Sequence, residues 1–181
     1  MASAAWGCVF QITSIDTMRA IKIPLAFISL SLVVGATAKA DPLNGIGRFE
    51  KIASKCEYTV GDALKHKCRV VQMDRKTETL ITVRFIGRGE IRGSSRHLIF
   101  VASASAQTMP LRCLSGRCTL AETTWIATLS SVAVSKFDEL GLAEGLPQAW
   151  PVKGVCQLSK KKLRCKARAN SGEIMTAEVN L

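Results

Sequence analysis

CQLSKKKLRC, residues 156–165, reads as a β-hairpin. If Cys156 lies opposite Cys165, then Leu158 lies opposite Leu163, and Ser159 to Lys162 form a four-residue turn. The hairpin then has one cystine rung and one apolar rung on the same face, because side chains alternate along a strand. The opposite face carries Arg164, Lys166 and Arg168, with Lys160, Lys161 and Lys162 at the tip.

The same logic extends to the other cysteines. Cys113 and Cys118 flank LSGR, whose Gly116 tolerates the positive φ of a tight turn. Cys56 and Cys68 bracket a stretch bent at Gly61-Asp62. Six cysteines permit about 15 pairings, yet these six fall into three sequence-local pairs: Cys56–Cys68, Cys113–Cys118 and Cys156–Cys165. A redox site favours C-x-x-C, with one thiolate at a helix N-terminus, and Cys113-x4-Cys118 lacks that spacing. A zinc site wants paired thiolates or imidazoles at finger or ribbon spacing. His66 near Cys68 finds no second such pair. The cysteines are therefore expected to be covalent staples, with no metal and no cofactor.

Outside the stapled hairpins, ETLITVRFIG (78–87) is the plainest strand, with Ile81, Val83 and Phe85 on one face. CRVVQMD (68–74), RHLIFVASAS (96–105), TTWIATLSSVAV (123–134, one strand or a strand with a bend) and EIMTAEVNL (173–181) follow the same pattern. Trp125 belongs to the core. Residues 41–48 read as a loose lead-in. SKFDELGLAEGL (135–146) breaks the rhythm and predicts one short helix, with Ser135 as cap, Asp138 at the capping-box position and Gly141 as stop. Pro147 and Pro151 frame Trp150 as a turn. A mainly β fold is expected, a small antiparallel sandwich or partly open barrel, with 151–181 as an optional stapled lobe.

The N-terminus bears on location. From Met18, a basic start (Arg19, Lys22) precedes the apolar run Leu25–Val34 and the small-x-small pair Ala38 and Ala40. This is the form of an export signal cleaved near Ala40, too short for a membrane span. Residues 1–40 are read as leader, with Met18 an alternative start and Cys8 lost with the leader. Residues 41–181 then form the mature domain, periplasmic or secreted.

The chain has a formal net charge of +11, and only Arg19, Lys22 and Lys39 of its cations leave with the leader. Such a balance attracts polyanions. The hairpin residues Lys160, Lys161, Lys162, Arg164, Lys166 and Arg168 are the first candidate binding surface. A second is the basic loop Arg84, Arg88, Arg92 and Arg96, interleaved with Gly87, Gly89 and Gly93. The partners such surfaces fit are anionic lipid, lipopolysaccharide, an acidic glycan or an acidic protein face, including peripheral membrane contact. Nucleic acid is not expected, since no aromatic side chains interleave the charges to stack bases. Catalysis has little to rest on: His66 and His97 have basic neighbours, and no G-x-S-x-G elbow occurs. The reading is a non-enzymatic exported binding protein. An inhibitor or effector acting on another protein is the alternative, and a small hydrolase comes third.

Overall fold

A computed structural model describes residues 45–121 and 124–181; the leader expected over 1–40 and its expected cleavage near Ala40 lie outside the described residues. The strands are β1 (Gly47–Ile52), β2 (Cys56–Val60), β3 (His66–Arg75), β4 (Leu80–Arg88), β5 (Ser95–Ser103), β6 (Leu111–Leu114), β7 (Gly116–Leu120), β8 (Trp125–Phe137), β9 (Gln148–Ser159), β10 (Lys162–Ala169) and β11 (Ile174–Asn180). Strands β2, β3, β4, β5, β8, β9, β10 and β11 each pair antiparallel with the next, and β11 returns to β2. The result is a closed eight-stranded barrel of up-and-down connectivity.

Closure depends on one bent segment. β1 pairs with the second half of β3, from Ile52↔Val70 to Gly47↔Arg75, and β2 pairs with its first residues, Tyr58↔His66 and Glu57↔Lys67. Ala53 N–H donates to Arg69 C=O at 2.9 Å and carries the ladder across the bend. β2 can therefore hold β3 on one side and β11 on the other. The lead-in expected over 41–48 gives way to strand at Gly47.

The β6–β7 hairpin is an insertion between β5 and β8, which still pair directly with each other. It lies beside β1 through Gly47↔Gly116 and Arg48↔Arg117. Within the expected 123–134 segment, the chain from Trp125 onward is one long strand, β8, whose register shifts against both neighbours around Ser130. Such a bulge bends a strand and lets a small barrel close.

The interior is filled by alternate side chains. Phe85, Phe100, Met73, Ile81, Leu98, Leu158, Leu163, Met175 and Trp125 are almost wholly inaccessible. Phe85 and Phe100 meet edge to face at 5.7 Å. Burying a side chain of this size contributes about 1.5–3 kcal/mol. The three cystines are Cys56–Cys68, Cys113–Cys118 and Cys156–Cys165, each closing a hairpin. They belong to an oxidising environment. No helix among the described residues is long and apolar enough to cross a membrane.

Two expectations are corrected. No α-helix forms over 135–146: β8 runs through Ser135, which is buried, to Phe137. The Asp138 carboxylate instead accepts from the N–H groups of Leu140 (3.0 Å) and Leu142 (2.7 Å), and Gly141 turns at φ +80°. The residues that suggested a cap and a stop build an Asp-anchored turn. The only helical element described is a single 3-10 turn, Ala106–Thr108. Trp150 and Pro151 do not make a corner either. They lie within β9, opposite Val132 and Ser131, so 151–181 continues the barrel wall.

Candidate anion-binding surface

The β9–β10 hairpin has the register that its sequence implies: Cys156↔Cys165, Leu158↔Leu163 and Ser159↔Lys162. Only Lys160 and Lys161 remain as the turn, with φ of 48° and 64°. Positive φ at both central residues is the condition of a type I′ turn, whose preferred residues are Asn and Gly. The β6–β7 turn meets the same demand with Ser115 and Gly116 (φ 49° and 78°). A non-glycine residue in this region costs about 1 kcal/mol or more. The tip therefore holds two lysines where backbone chemistry favours neither.

The six candidate residues divide into three groups. Lys160 and Lys161 are exposed and have no carboxylate partner among the described residues. Lys162 and Arg164 are engaged: the Glu178 carboxylate of β11 takes Lys162 Nζ at 2.5 Å and Arg164 Nε at 2.6 Å. Those hydrogen bonds, first from Lys162 and then from Arg164, hold the Glu178 pKa below its ordinary value. Lys166 and Arg168 project from the outer wall, exposed and free of ion pairs among the described residues. Lys153 of β9 stands directly across from Arg168 and adds a cation that sequence reading missed. The proposed hairpin register already implied that pairing.

Beside the tip lies an open groove of about 750 Å³. Phe49, Leu120, Leu158 and Leu181 supply apolar walls, and Lys51, Lys160 and Lys161 supply cations. Lys51 comes from β1, and no local sequence signal associates it with the hairpin. At the same end of the barrel, Asp74 is buried on the outer wall of β3 and gathers Arg48 Nε (2.6 Å), Lys76 Nζ (3.7 Å) and Arg84 Nη2 (3.8 Å). Burial alone would raise the Asp74 pKa; the Arg48 hydrogen bond and the three positive charges outweigh it and leave it lowered.

The second basic set does not form one rim. In the β4–β5 register, Arg84 pairs with Ile99 and Arg96 with Gly87, so Arg84 and Arg96 fall on opposite faces of the wall. Arg84 is outside with Asp74, and Arg96 turns in with Leu98 and Phe100. Arg88 and Arg92 are exposed at the loop.

The histidines are also separated. His66 stacks on Tyr58 at 5.3 Å, and burial, then the Arg96 charge, lowers its pKa. His97 is on the outer wall against Phe137 (4.4 Å), within 3.1 Å of Ser95 Oγ. Burial, then Arg84, lowers its pKa to about 4. Neither histidine meets a carboxylate among the described residues, and those residues contain no cluster of metal-ligating side chains. Comparison with protein-family models, curated proteins and solved structures finds no match to this chain.

Proposed function

We propose that this is an exported, non-enzymatic binding protein that contacts an anionic envelope component through the Lys160–Lys161 end of its barrel. The observation that carries the reading is the turn itself: two lysines hold backbone positions that suit Asn and Gly, which is the kind of strain that marks a functional site. The groove beside them adds apolar walls and Lys51, with Glu50 as the one acid on its lining. Lys166, Arg168 and Lys153 extend the positive surface along the wall. The three cystines and the leader-like N-terminus support a periplasmic or secreted location.

The turn provides its own test. Replacing Lys160→Asn together with Lys161→Gly removes two charges and installs the preferred turn residues. Stability should rise, by about 1 kcal/mol. Sedimentation with vesicles of phosphatidylcholine and phosphatidylglycerol should show wild-type binding that falls with added salt, and much weaker binding by the variant. Equal binding by both proteins, or no wild-type binding at low salt, would overturn the proposal. An acidic protein partner is the second reading, favoured if vesicles fail while a soluble acidic polypeptide is retained through the same two lysines.

A further inference from the structure

The opposite end of the barrel contains a different feature, independent of the anionic-surface reading. Arg84 and Arg96 are twelve residues apart on adjoining strands, and the wall sends them to opposite sides. Arg84, outside, finds Asp74. Arg96, inside, finds no carboxylate among the described residues, and its Nε is buried without a hydrogen-bond partner. Arg96 is half-buried, and a buried donor without an acceptor is costly until one completes it.

Beside Arg96 is a cavity of about 210 Å³ in the barrel mouth, bounded by His66, Ser94, Lys136 and Glu144. Its lining fixes the charge an occupant should carry. Lys136 is already held by Glu90 at 3.3 Å. Glu144 offsets one of the two remaining cations, Arg88 and Arg96, which also line the cavity. Burial, and then the Arg96 charge, disfavour a positive charge on His66. One positive charge is left over. The size suits a ligand of a few heavy atoms, and barrel mouths are common ligand sites. The guanidinium fork matches a planar carboxylate through two parallel hydrogen bonds. A phosphate dianion would bring one charge too many toward Glu90 and Glu144.

We propose that this mouth binds a small monocarboxylate, with Arg96 as its principal partner and the Ser94 hydroxyl at its edge. Both Ser94 contacts described now are local to the loop: its hydroxyl accepts from Ile91 N–H at 3.2 Å and donates to Ile91 C=O at 2.7 Å. That bracing fixes the loop over the cavity.

Titration of the isotope-labelled protein with sodium butyrate, at constant ionic strength and with chloride as control, tests the site. Saturable amide shifts confined to His66, Ser94–Arg96 and Lys136 are expected, with a dissociation constant of about 1–10 mM, as befits so small a ligand. Arg96→Gln should weaken binding at least about tenfold, the scale of a lost charged hydrogen-bonded pair. Arg96→Lys, which retains charge without the fork, should lie between the two. No saturable shift by about 50 mM butyrate, or equal affinity in Arg96→Gln, would overturn the proposal. Tighter binding of inorganic phosphate at the same residues would overturn the assignment to a monocarboxylate. Should Arg96→Gln lose its dispersed spectrum, Arg96→Lys and the wild-type titration decide the outcome.

Discussion

At one end of the barrel the connecting segments, the β6–β7 insertion included, carry Lys55, Lys76, Arg112, Arg117, Lys160 and Lys161 against Glu78 among the described residues. At the other they carry Lys65 and Arg92 against Asp62, Glu90, Asp138, Glu139, Glu144 and Glu173. Up-and-down connectivity sends alternate connections to opposite ends, so charge that alternates along the chain becomes polarity in space. Turn chemistry differs in the same sense. The acidic end turns on Gly61, Gly93, Gly141 and Gly172, all at positive φ, and on the Asp138 carboxylate. The basic end places lysines at positive φ. Near a negative surface such a polarity orients the molecule, basic end inward, before any contact forms.

The largest effect should come from breaking the wall that joins the two ends. Leu163 is wholly buried one rung above the Cys156–Cys165 cystine. Leu163→Asp places an unpaired charge in a filled barrel and should cost about 4 kcal/mol or more. A urea titration retaining the wild-type midpoint would show that the hairpin does not contribute its inner face to the core.

Next comes the carboxylate beneath the basic end. Asp74→Asn leaves Arg48, Lys76 and Arg84 without a counter-charge. Since Arg48 and Lys76 are about half exposed, water softens the loss, and about 2 kcal/mol is expected. The sign with pH follows from the lowered pKa. Asp74 binds its proton more readily in the unfolded chain, so its contribution is complete above about pH 4 and disappears as pH falls through the lower folded value. Asp74→Asn should flatten the stability profile in that acid range; an unchanged profile would remove Asp74 from the account of acid unfolding.

His97 probes the acidic end, beside Ser95 and Phe137. Its folded pKa of about 4 is below the ordinary 6.5. The unfolded chain therefore takes up a proton first as pH falls, and stability declines between about 6.5 and 4. For a half-buried ring a decline of about 1–2 kcal/mol is reasonable after solvent screening. Thermal melts of His97→Gln should lose this slope while retaining the Asp74 slope below it. Parallel slopes in variant and wild type would assign the effect elsewhere.

Much of this could be read from the sequence where pairing is local. The register of the last hairpin follows from CQLSKKKLRC, because two cysteines and two leucines agree on one alignment. The inward face of β4 follows from Ile81, Val83 and Phe85. Barrel closure does not follow, since β2 meets β11 more than a hundred residues later, and a sandwich would satisfy the same alternation. Ser135, Asp138 and Gly141 misled because caps, stops and Asp-anchored turns draw on the same residue types. The four arginines misled for a reason of register: Arg88↔Ser95 pairs an even-numbered residue with an odd one, so Arg84 and Arg96 cannot share a face. Only the length of the intervening turn decides that. Lys51 joined the candidate surface through tertiary pairing of β1 alone.

The smallest expected effect on stability is the sharpest test of the polarity. Glu178 is the acid that intrudes on the basic hairpin, holding Lys162 and Arg164 through exposed contacts. Exposed pairs contribute roughly 0–1 kcal/mol, so Glu178→Gln should shift the unfolding midpoint little. It nevertheless releases two cations beside Lys160 and Lys161. If the hairpin meets an anionic surface, vesicle binding should strengthen severalfold at low salt and depend more steeply on salt than in wild type, because more charge is screened. Glu173→Gln, at the opposite end, changes the net charge by the same amount. If net charge alone governs attraction, the two variants should bind equally; if the basic end makes the contact, only Glu178→Gln should gain. Equal gains would leave the protein a diffuse polycation and remove the reason for assigning the contact to the Lys160–Lys161 turn.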